Sequence, residues 1–390
     1  MKICFVTHKV KKGDGQGRVN YEVIVEALRQ GHMILVVSSE LDEDLRLHPN
    51  IEWHQIKVSI LPSMLLKYQW FAILSTFFIF VKRKSIQLLI VNGFITYARS
   101  DINCVHFVHS AWIKSPYHPF HESKSPKSVY QFIYSKVNSV LERIAINRTK
   151  QVIAVSEQVK QELIHSAKIN ENKITVVPNG VDLNEFYPRC VVRSEFGLHN
   201  ERIYALFAGD LKSKRKNLET VLMSIARTEQ IELLVLGYVD KSPYPLLAEQ
   251  LGIKHRVHFL GYRGDIAEIM SLSDLFIFPS RYEPFSLVIL EAMATGLPVI
   301  TSNCCGVVEL LSSHSAAILE EPDDVDSLVR VLNELLDDRT KLHNMALEAR
   351  NVAKNNSWEI MSEKYMYLFN KVLNRTPINY REGSIAHDDC

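Results

Sequence analysis

Short, nearly continuous apolar runs alternate with segments whose apolar residues recur every three or four positions, from residue 2 to about residue 374. The short runs carry few polar interruptions, so they read as strands buried on both faces. They fall at residues 2–7, 33–38, 51–58, 86–91, 103–108, 151–155 and 173–177. Helical patterns separate most of them, the clearest at 19–29, closed by Gly31, and at 129–146. Beyond Pro188 the alternation restarts, with strands at 203–208, 231–236, 257–260, 275–278 and 297–301 and helices at 218–227, 246–251, 266–270 and 285–295. Helical patterns then run over 323–336, 339–354 and 357–374. Strands alternating with helices predict an α/β fold with parallel sheets covered on both faces. Two such series predict two Rossmann-like, doubly wound domains. Ligands of such sheets sit at the strand carboxyl ends, and two domains can turn those ends toward one cleft.

The expected division is a first domain over residues 1–187, a second over 188–358, a C-terminal helix at 359–375 packing back on the first domain, and a flexible tail at 376–390. At 47% hydrophobic and 23% charged residues, with 15 Gly and 14 Pro, the chain has a globular composition and excludes collagen-like or disordered readings. The net charge of +1 gives no support for nucleic-acid binding. That balance hides an asymmetry. Residues 1–190 hold 24 Lys/Arg and 16 Asp/Glu, and the remainder is acidic. A basic first half favours an anionic surface or ligand, or else reflects ordinary variation in surface charge.

The six cysteines show no CxxC and no metal-ligand spacing, which fits a reducing, cytoplasmic compartment. The opening residues do not read as a secretory signal, because basic and glycine-rich residues follow a short apolar run. Residues 71–81, FAILSTFFIFV, are about half the length of a spanning helix and precede Lys82, Arg83 and Lys84. They read either as a buried helix leading into the next strand or as a helix lying in a bilayer interface with a basic flank.

Candidate chemistry concentrates at residues 278–302, FPSRYEPFSLVILEAMATGLPVITS. A strand ends, a polar turn follows, and a helix starts near Phe285. The unpaired first amides of such a helix suit a phosphate. Glu291 lies among apolar helix residues and needs partners if buried, either ligand hydroxyls or an Arg or backbone group. Glu283, in the turn, is within reach of a sugar beside the phosphates or is a surface residue. Lys212, Lys214, Arg215 and Lys216 follow another strand end and form either a solvated loop or a pyrophosphate clamp. In the first half, Gly13-Asp-Gly-Gln-Gly17 follows the first strand but has Arg18 where a GxGxxG motif needs its third glycine. Its glycines permit a close ligand approach or simply flexibility. His109 is expected at the end of the 103–108 strand, before a long aromatic loop at 110–127. Asp42-Glu-Asp44 and Asp324-Val-Asp326 match a metal-binding Asp-x-Asp only formally and read as structural, the second as a helix start.

These motifs together resemble a retaining glycosyltransferase of family 4, also called glycosyl transferases group 1, with the two-Rossmann-domain GT-B architecture, over about residues 1–370. Glu283 to Glu291 is similar to the family's E-x7-E motif, and PNGVDLNEF (178–186), Arg215-Lys216 and HFLGY (258–262) support it. The resemblance implies that Arg215 and Lys216 hold the donor diphosphate, Glu291 the ribose and Glu283 the donor sugar. It places the amides of Phe285, Ser286 and Leu287 at the phosphates, Tyr262 and Arg263 at the base, and Gly15 and Gly17 beside donor and acceptor. His109 matches a histidine near the donor sugar. The implied catalytic group is Glu283, His109, Arg215 and Lys216. Two departures stand out: Asn217 replaces a glycine after Lys216, and Cys305-Gly306-Val307-Val308-Glu309 replaces a Gly-Gly-x-x-Glu element.

A cation pair and a helix N-terminus can stabilise a departing diphosphate, so neither a metal nor another cofactor is expected. The resemblance implies retention of configuration, a nucleoside-diphosphate sugar donor with UDP favoured, and roles in bacterial polysaccharide, lipopolysaccharide or glycolipid synthesis. The basic first half, residues 71–84 and the aromatic loop suit a saccharide or lipid-linked acceptor and peripheral contact with an anionic cytoplasmic membrane face. A nucleotide-sugar 2-epimerase and a non-catalytic nucleotide-sugar-binding subunit are the alternatives. The E-x7-E context argues against the first, and the intact Glu283, Glu291, Arg215 and Lys216 against the second.

Overall fold

The structure, a computed structural model, describes residues 1–58 and 61–374. The expected flexible tail at 376–390 lies outside the described residues.

Both halves form fully parallel sheets. The first has seven strands in the order Ile51–Gln55, Met33–Ser38, Lys2–Val6, Leu88–Asn92, Ile102–Val105, Gln151–Ala154, Ile174–Val176. The second has six, in the order Val257–Gly261, Ile231–Leu236, Ile203–Ala208, Leu275–Phe278, Val299–Ser302, Ala316–Leu319. Each runs 3-2-1-4-5-6 in sequence order, with a seventh strand added to the first sheet. The order reverses between strands one and four, and the crevice at that switch point is where such sheets bind nucleotides. Central strands are apolar on both faces because helices cover both: Ile3, Cys4, Phe5 and Val6 are buried, as are Leu206 and Phe207.

The last helix, Trp358–Val372, packs on the first sheet. Its Phe369 meets Phe5 edge-to-face at 6.3 Å, and Tyr365 and Met366 are buried in the same cluster. The chain returns to the first half where Gly180 lies against Ser357 and Trp358. A Cβ on Gly180 would sit 2.5 Å from the Ser357 backbone, so only glycine allows this contact.

Several sequence expectations need correction. The 103–108 strand stops at Val105, so His109 does not end a strand. It opens a short helix, His109–Trp112, and Pro119–Glu122 forms another inside the expected loop. The 51–58 strand ends at Gln55. The first helix begins at Gly15, so Gly15 and Gly17 lie in its first turn and not in a free loop; Asp14 caps it by accepting from the Gly17 amide at 2.8 Å. The edge strand Ala316–Leu319 was not anticipated.

The apolar segment 71–81 belongs to a longer helix, Met64–Lys82, which Ser63 caps. Polar Lys67 and Gln69 are carried within it. Its inner side buries Phe71, Ala72, Ser75 and Ile79, and Ser75 Oγ donates to the Ile95 carbonyl at 3.0 Å. Its outer side leaves Leu66, Trp70, Ile73, Phe77 and Phe80 exposed, Phe80 at 81%. The buried-helix reading therefore describes one face only. By length and composition alone, Met64–Ser85 would suffice to cross a membrane.

Candidate functional site

A cavity of about 560 Å³ opens between the carboxyl ends of the two sheets. The first half contributes Gly15, Gln16, His106, Val155 and Asn179. The second contributes the ends of its first, second and fourth strands with Lys216, Tyr262, Arg263 and residues 283–288. This is the switch-point crevice of the second sheet, covered by the first domain.

The turn carrying Glu283 is fixed by its neighbours. Its amide donates to the Cys304 carbonyl at 3.0 Å, and its carbonyl accepts from Gly306 N at 2.8 Å. A Cβ at Gly306 would lie 2.0 Å from the Pro284 carbonyl oxygen, which explains why a glycine follows Cys305. Ser156 Oγ of the first domain donates to that same carbonyl at 2.6 Å, and Tyr282 Oη donates to Glu162 at 2.9 Å, so both domains hold the turn. The Glu283 carboxylate accepts from Lys216 Nζ and lies 3.4 Å from Arg215 Nη1. Burial pushes its pKa up, but Lys216 and Arg215 outweigh burial and hold it below the usual carboxylate range.

Asn217 explains one departure from the family pattern. It sits at φ 63°, a left-handed position that Asn tolerates better than most side chains. Its Nδ2 donates to the Pro279 carbonyl at 2.9 Å and the Pro322 carbonyl at 2.6 Å, tying the basic loop to the turn.

The following helix is Leu287–Ala294, two residues shorter at its start than expected, so Phe285 and Ser286 belong to the turn. Ser286 adopts φ 83°, a costly conformation for a residue with a side chain. Among the described residues no hydrogen bond uses the amides of Phe285 or Ser286, and Ser286 Oγ is buried without a partner. Three donors thus stand idle at the cavity wall beside a helix N-terminus, the arrangement that binds an anion.

The cavity wall brings together Gly15, Lys216, Tyr262, Arg263, Glu283, Phe285, Ser286 and Leu287. Four expected site residues lie outside it. The Gly17 amide is used by Asp14. Arg215 stands behind the turn, its guanidinium donating to the Tyr282 carbonyl at 2.8 Å. Burial and nearby Glu185 raise the pKa of Glu291 to about 7, against the pull of Arg18. His109 lines an adjoining pocket of about 250 Å³ that shares Gln16 and His106 with the main cavity. There its amide donates to Glu142 Oε2 at 3.1 Å, and burial lowers its ring pKa to about 4.

Reasoning from sequence missed Tyr238, which stacks on Tyr262 with ring centres 4.9 Å apart and planes 6° apart, forming an exposed aromatic platform at the cavity mouth. The signal was present as a tyrosine after the 231–236 strand. Arg263 is bound to Asp265 at 2.8 Å. Glu309 does not reach the cavity; its carboxylate accepts from the amide of Glu157 in the first domain. Asp42 and Asp324 cap helices, accepting from Asp44 N at 3.4 Å and Ser327 N at 2.9 Å. Among the described residues no group of three or more His, Cys, Asp or Glu is placed to hold a metal ion.

Two parallel Rossmann-like sheets facing one charged crevice define the GT-B architecture. Structural comparison agrees: the chain matches the crystal structure of WaaG, a glycosyltransferase involved in lipopolysaccharide biosynthesis, with a TM-score of 0.75 at 18% identity, covering 95% of this chain and 99% of that one. The family model "Glycosyltransferase Family 4" matches residues 13–185, and "Glycosyl transferases group 1" matches residues 191–352. Together the two models span most of the chain, which thus combines a family 4 and a group 1 glycosyltransferase domain. It is 31% identical over 216 residues to an uncharacterized glycosyltransferase of Methanocaldococcus jannaschii, covering 52% of this chain and 55% of that protein. It is 29% identical over 267 residues to the UDP-Gal:alpha-D-GlcNAc-diphosphoundecaprenol alpha-1,3-galactosyltransferase of Escherichia coli, covering 63% of each. The chain thus spans less than two thirds of the length of either relative.

Proposed function

We propose that the protein transfers a sugar from a nucleoside-diphosphate sugar, UDP-linked by preference, to a saccharide or lipid-linked saccharide, with retention and without a metal. The observation that carries this reading is the convergence of Lys216 and the idle amides of Phe285 and Ser286 on one crevice, with Arg215 standing behind the turn that carries them. As the glycosidic bond breaks, negative charge grows on the diphosphate. Fixed donors and cations at that point stabilise it without reorganisation. The Tyr238–Tyr262 platform offers a face for the base. Glu283 is ionised, and a donor diphosphate that draws Lys216 away frees its carboxylate to accept hydroxyls of the sugar. In the proposed reaction the acceptor attacks on the leaving-group face and the departing phosphate takes its proton, so the configuration is retained; the resemblance to family 4 supports this reading.

The acceptor side rests on the first domain. The exposed apolar stripe of helix Met64–Lys82 ends in Lys82, Arg83 and Lys84, and no acidic residue occurs between Glu52 and Asp101. Lys114, Lys136, Arg143 and Arg148 line a groove, and none is in an ion pair among the described residues. Both features suit a peripheral position on an anionic, cytoplasmic membrane face, where a lipid-linked acceptor of polysaccharide, lipopolysaccharide or glycolipid synthesis would be met. The Escherichia coli relative carries a diphosphoundecaprenol acceptor in its name.

The test is nucleoside diphosphate release from a panel of UDP-, GDP- and ADP-sugars with lipid and saccharide acceptors. One donor class is expected to turn over, and the Arg215→Ala, Lys216→Ala double variant to lose at least about 100-fold. Near wild-type turnover by that variant rejects the clamp.

A further inference from the structure

The pocket beside the donor cavity has a chemistry of its own. Among the described residues no Lys or Arg lines it. Its walls include the rings of Tyr68, Phe107 and Tyr134, and its floor carries polar groups that lack partners: Asn92 Nδ2, His106 Nε2, His109 Nδ1 and Glu142 Oε1. Asn92 and Glu142 are 8% and 2% exposed, so leaving these atoms unsatisfied is costly unless a ligand or water meets them.

The site is built and held. Asn103 accepts from Gly93 N at 2.8 Å and donates to Gly93 O at 2.9 Å, which fixes the loop carrying Asn92. Glu142 is anchored through Oε2 by the His109 amide, leaving Oε1 free. Burial pushes the Glu142 pKa up to about 8 and the His106 pKa down to about 4, so at neutral pH both are uncharged. An uncharged carboxyl both donates and accepts, as a sugar hydroxyl does.

We propose that this pocket receives the accepting pyranose ring of the acceptor, an uncharged hexose or N-acetylhexosamine ring and not a uronate, with Asn92, His106 and Glu142 reading its hydroxyl or amide groups and any lipid-linked diphosphate lying outside the pocket. This rests on the sugar-transfer reading above. A carboxylate or phosphate seated inside the pocket would be buried without a counter-charge beside an acid, which is strongly unfavourable. Aromatic walls suit the apolar faces of a pyranose. The volume of about 250 Å³ falls below the ~300–1,000 Å³ of pockets for larger ligands, which suits one ring, with the rest of a longer acceptor outside the pocket. The shared residues Gln16 and His106 set the ring directly beside the donor.

The test uses the full chain, with and without UDP, and the methyl glycosides of glucose, N-acetylglucosamine and glucuronic acid as probes, binding being read by saturation-transfer NMR and titration. At least one neutral glycoside is expected to bind about tenfold or more tighter than the glucuronide. Glu142→Leu should weaken the neutral glycoside about tenfold, and Glu142→Gln should recover most of that loss, because an amide also donates and accepts. Equal or tighter binding of the glucuronide, or unchanged binding by Glu142→Leu, overturns the proposal. UDP binding on the same samples reports the donor site. If UDP binds and no neutral glycoside does, the acceptor inference alone fails; if UDP does not bind, the donor reading fails and the glycoside comparison still decides the pocket.

Discussion

The donor cavity has Lys216 and Arg263 in its wall, whereas the pocket that joins it at Gln16 and His106 is lined by neither Lys nor Arg among the described residues. One glutamate in each shows the consequence. Glu283 lies between Lys216 and Arg215, and its pKa is held low despite burial. Glu142 has burial, a backbone donor and the nearby Glu162 around it but, among the described residues, no cation, and its pKa rises to about 8. The same side chain is an anion on one side of the reacting centre and a neutral acid on the other. On the proposed reading, charge is provided where the leaving group gathers it and is absent where an uncharged nucleophile would be held.

The sharpest way to break this contrast is to remove the charge from the donor side. Lys216→Ala should lower kcat by about 10²–10³. Arg215→Ala should cost less, because Arg215 stands behind the turn and acts through the Tyr282 carbonyl and Glu283. Steady-state kinetics of the two single variants checks the order, and equal losses would mean that the wall is not where the charge is received. Tyr262→Ala removes half of the aromatic platform and should raise the donor KM about tenfold with little change in kcat.

The glutamates themselves give opposite pH signatures. Native Glu142 holds its proton up to about pH 8 while the unfolded chain releases it near ~4.3, so its burial erodes stability as pH rises through that window. Relative to wild type, Glu142→Gln should gain stability between about pH 5 and 8, by at most ~1.4 kcal/mol per pH unit. Glu283 is depressed, so its contribution is present above ~4.3 and lost as pH falls through its native value; Glu283→Gln should be less stable than wild type at pH 7, with the gap closing in acid. Denaturant melts across pH read both. The smallest effect on stability is expected from Phe77→Ser with Phe80→Ser, within about 0.5 kcal/mol because both side chains are exposed, yet sedimentation with anionic vesicles should fall sharply.

Much of the donor side was legible in the residue order. Continuous apolar strands specified the parallel sheets; Glu283 and the 285–287 turn followed from one strand–turn–helix segment, and Lys216 from the basic loop after another strand. Legibility failed where tertiary contacts decide. Ser286 takes its φ of 83° in a turn whose Pro284 carbonyl meets Ser156 Oγ and lies against Gly306, contacts from elsewhere in the sequence that no local pattern announces. His109 starts a helix because the strand before it ends three residues early. The acceptor pocket left no local signal: Asn92, His106 and Glu142 come from three separate elements and are ordinary residues in each. The outer face of helix Met64–Lys82 was hidden by its own apolarity, which does not distinguish a buried flank from an exposed one.

The central claim is that protein cations and amides, rather than a divalent ion, receive the diphosphate. The most direct test is the rate of nucleoside diphosphate release at saturating donor and acceptor in excess chelator, wild type beside Lys216→Ala. The account predicts a wild-type rate that the chelator does not change and a variant rate at least about 100-fold lower. A wild-type rate that collapses in chelator and returns with added magnesium or manganese, or a variant that keeps the wild-type rate, would contradict it.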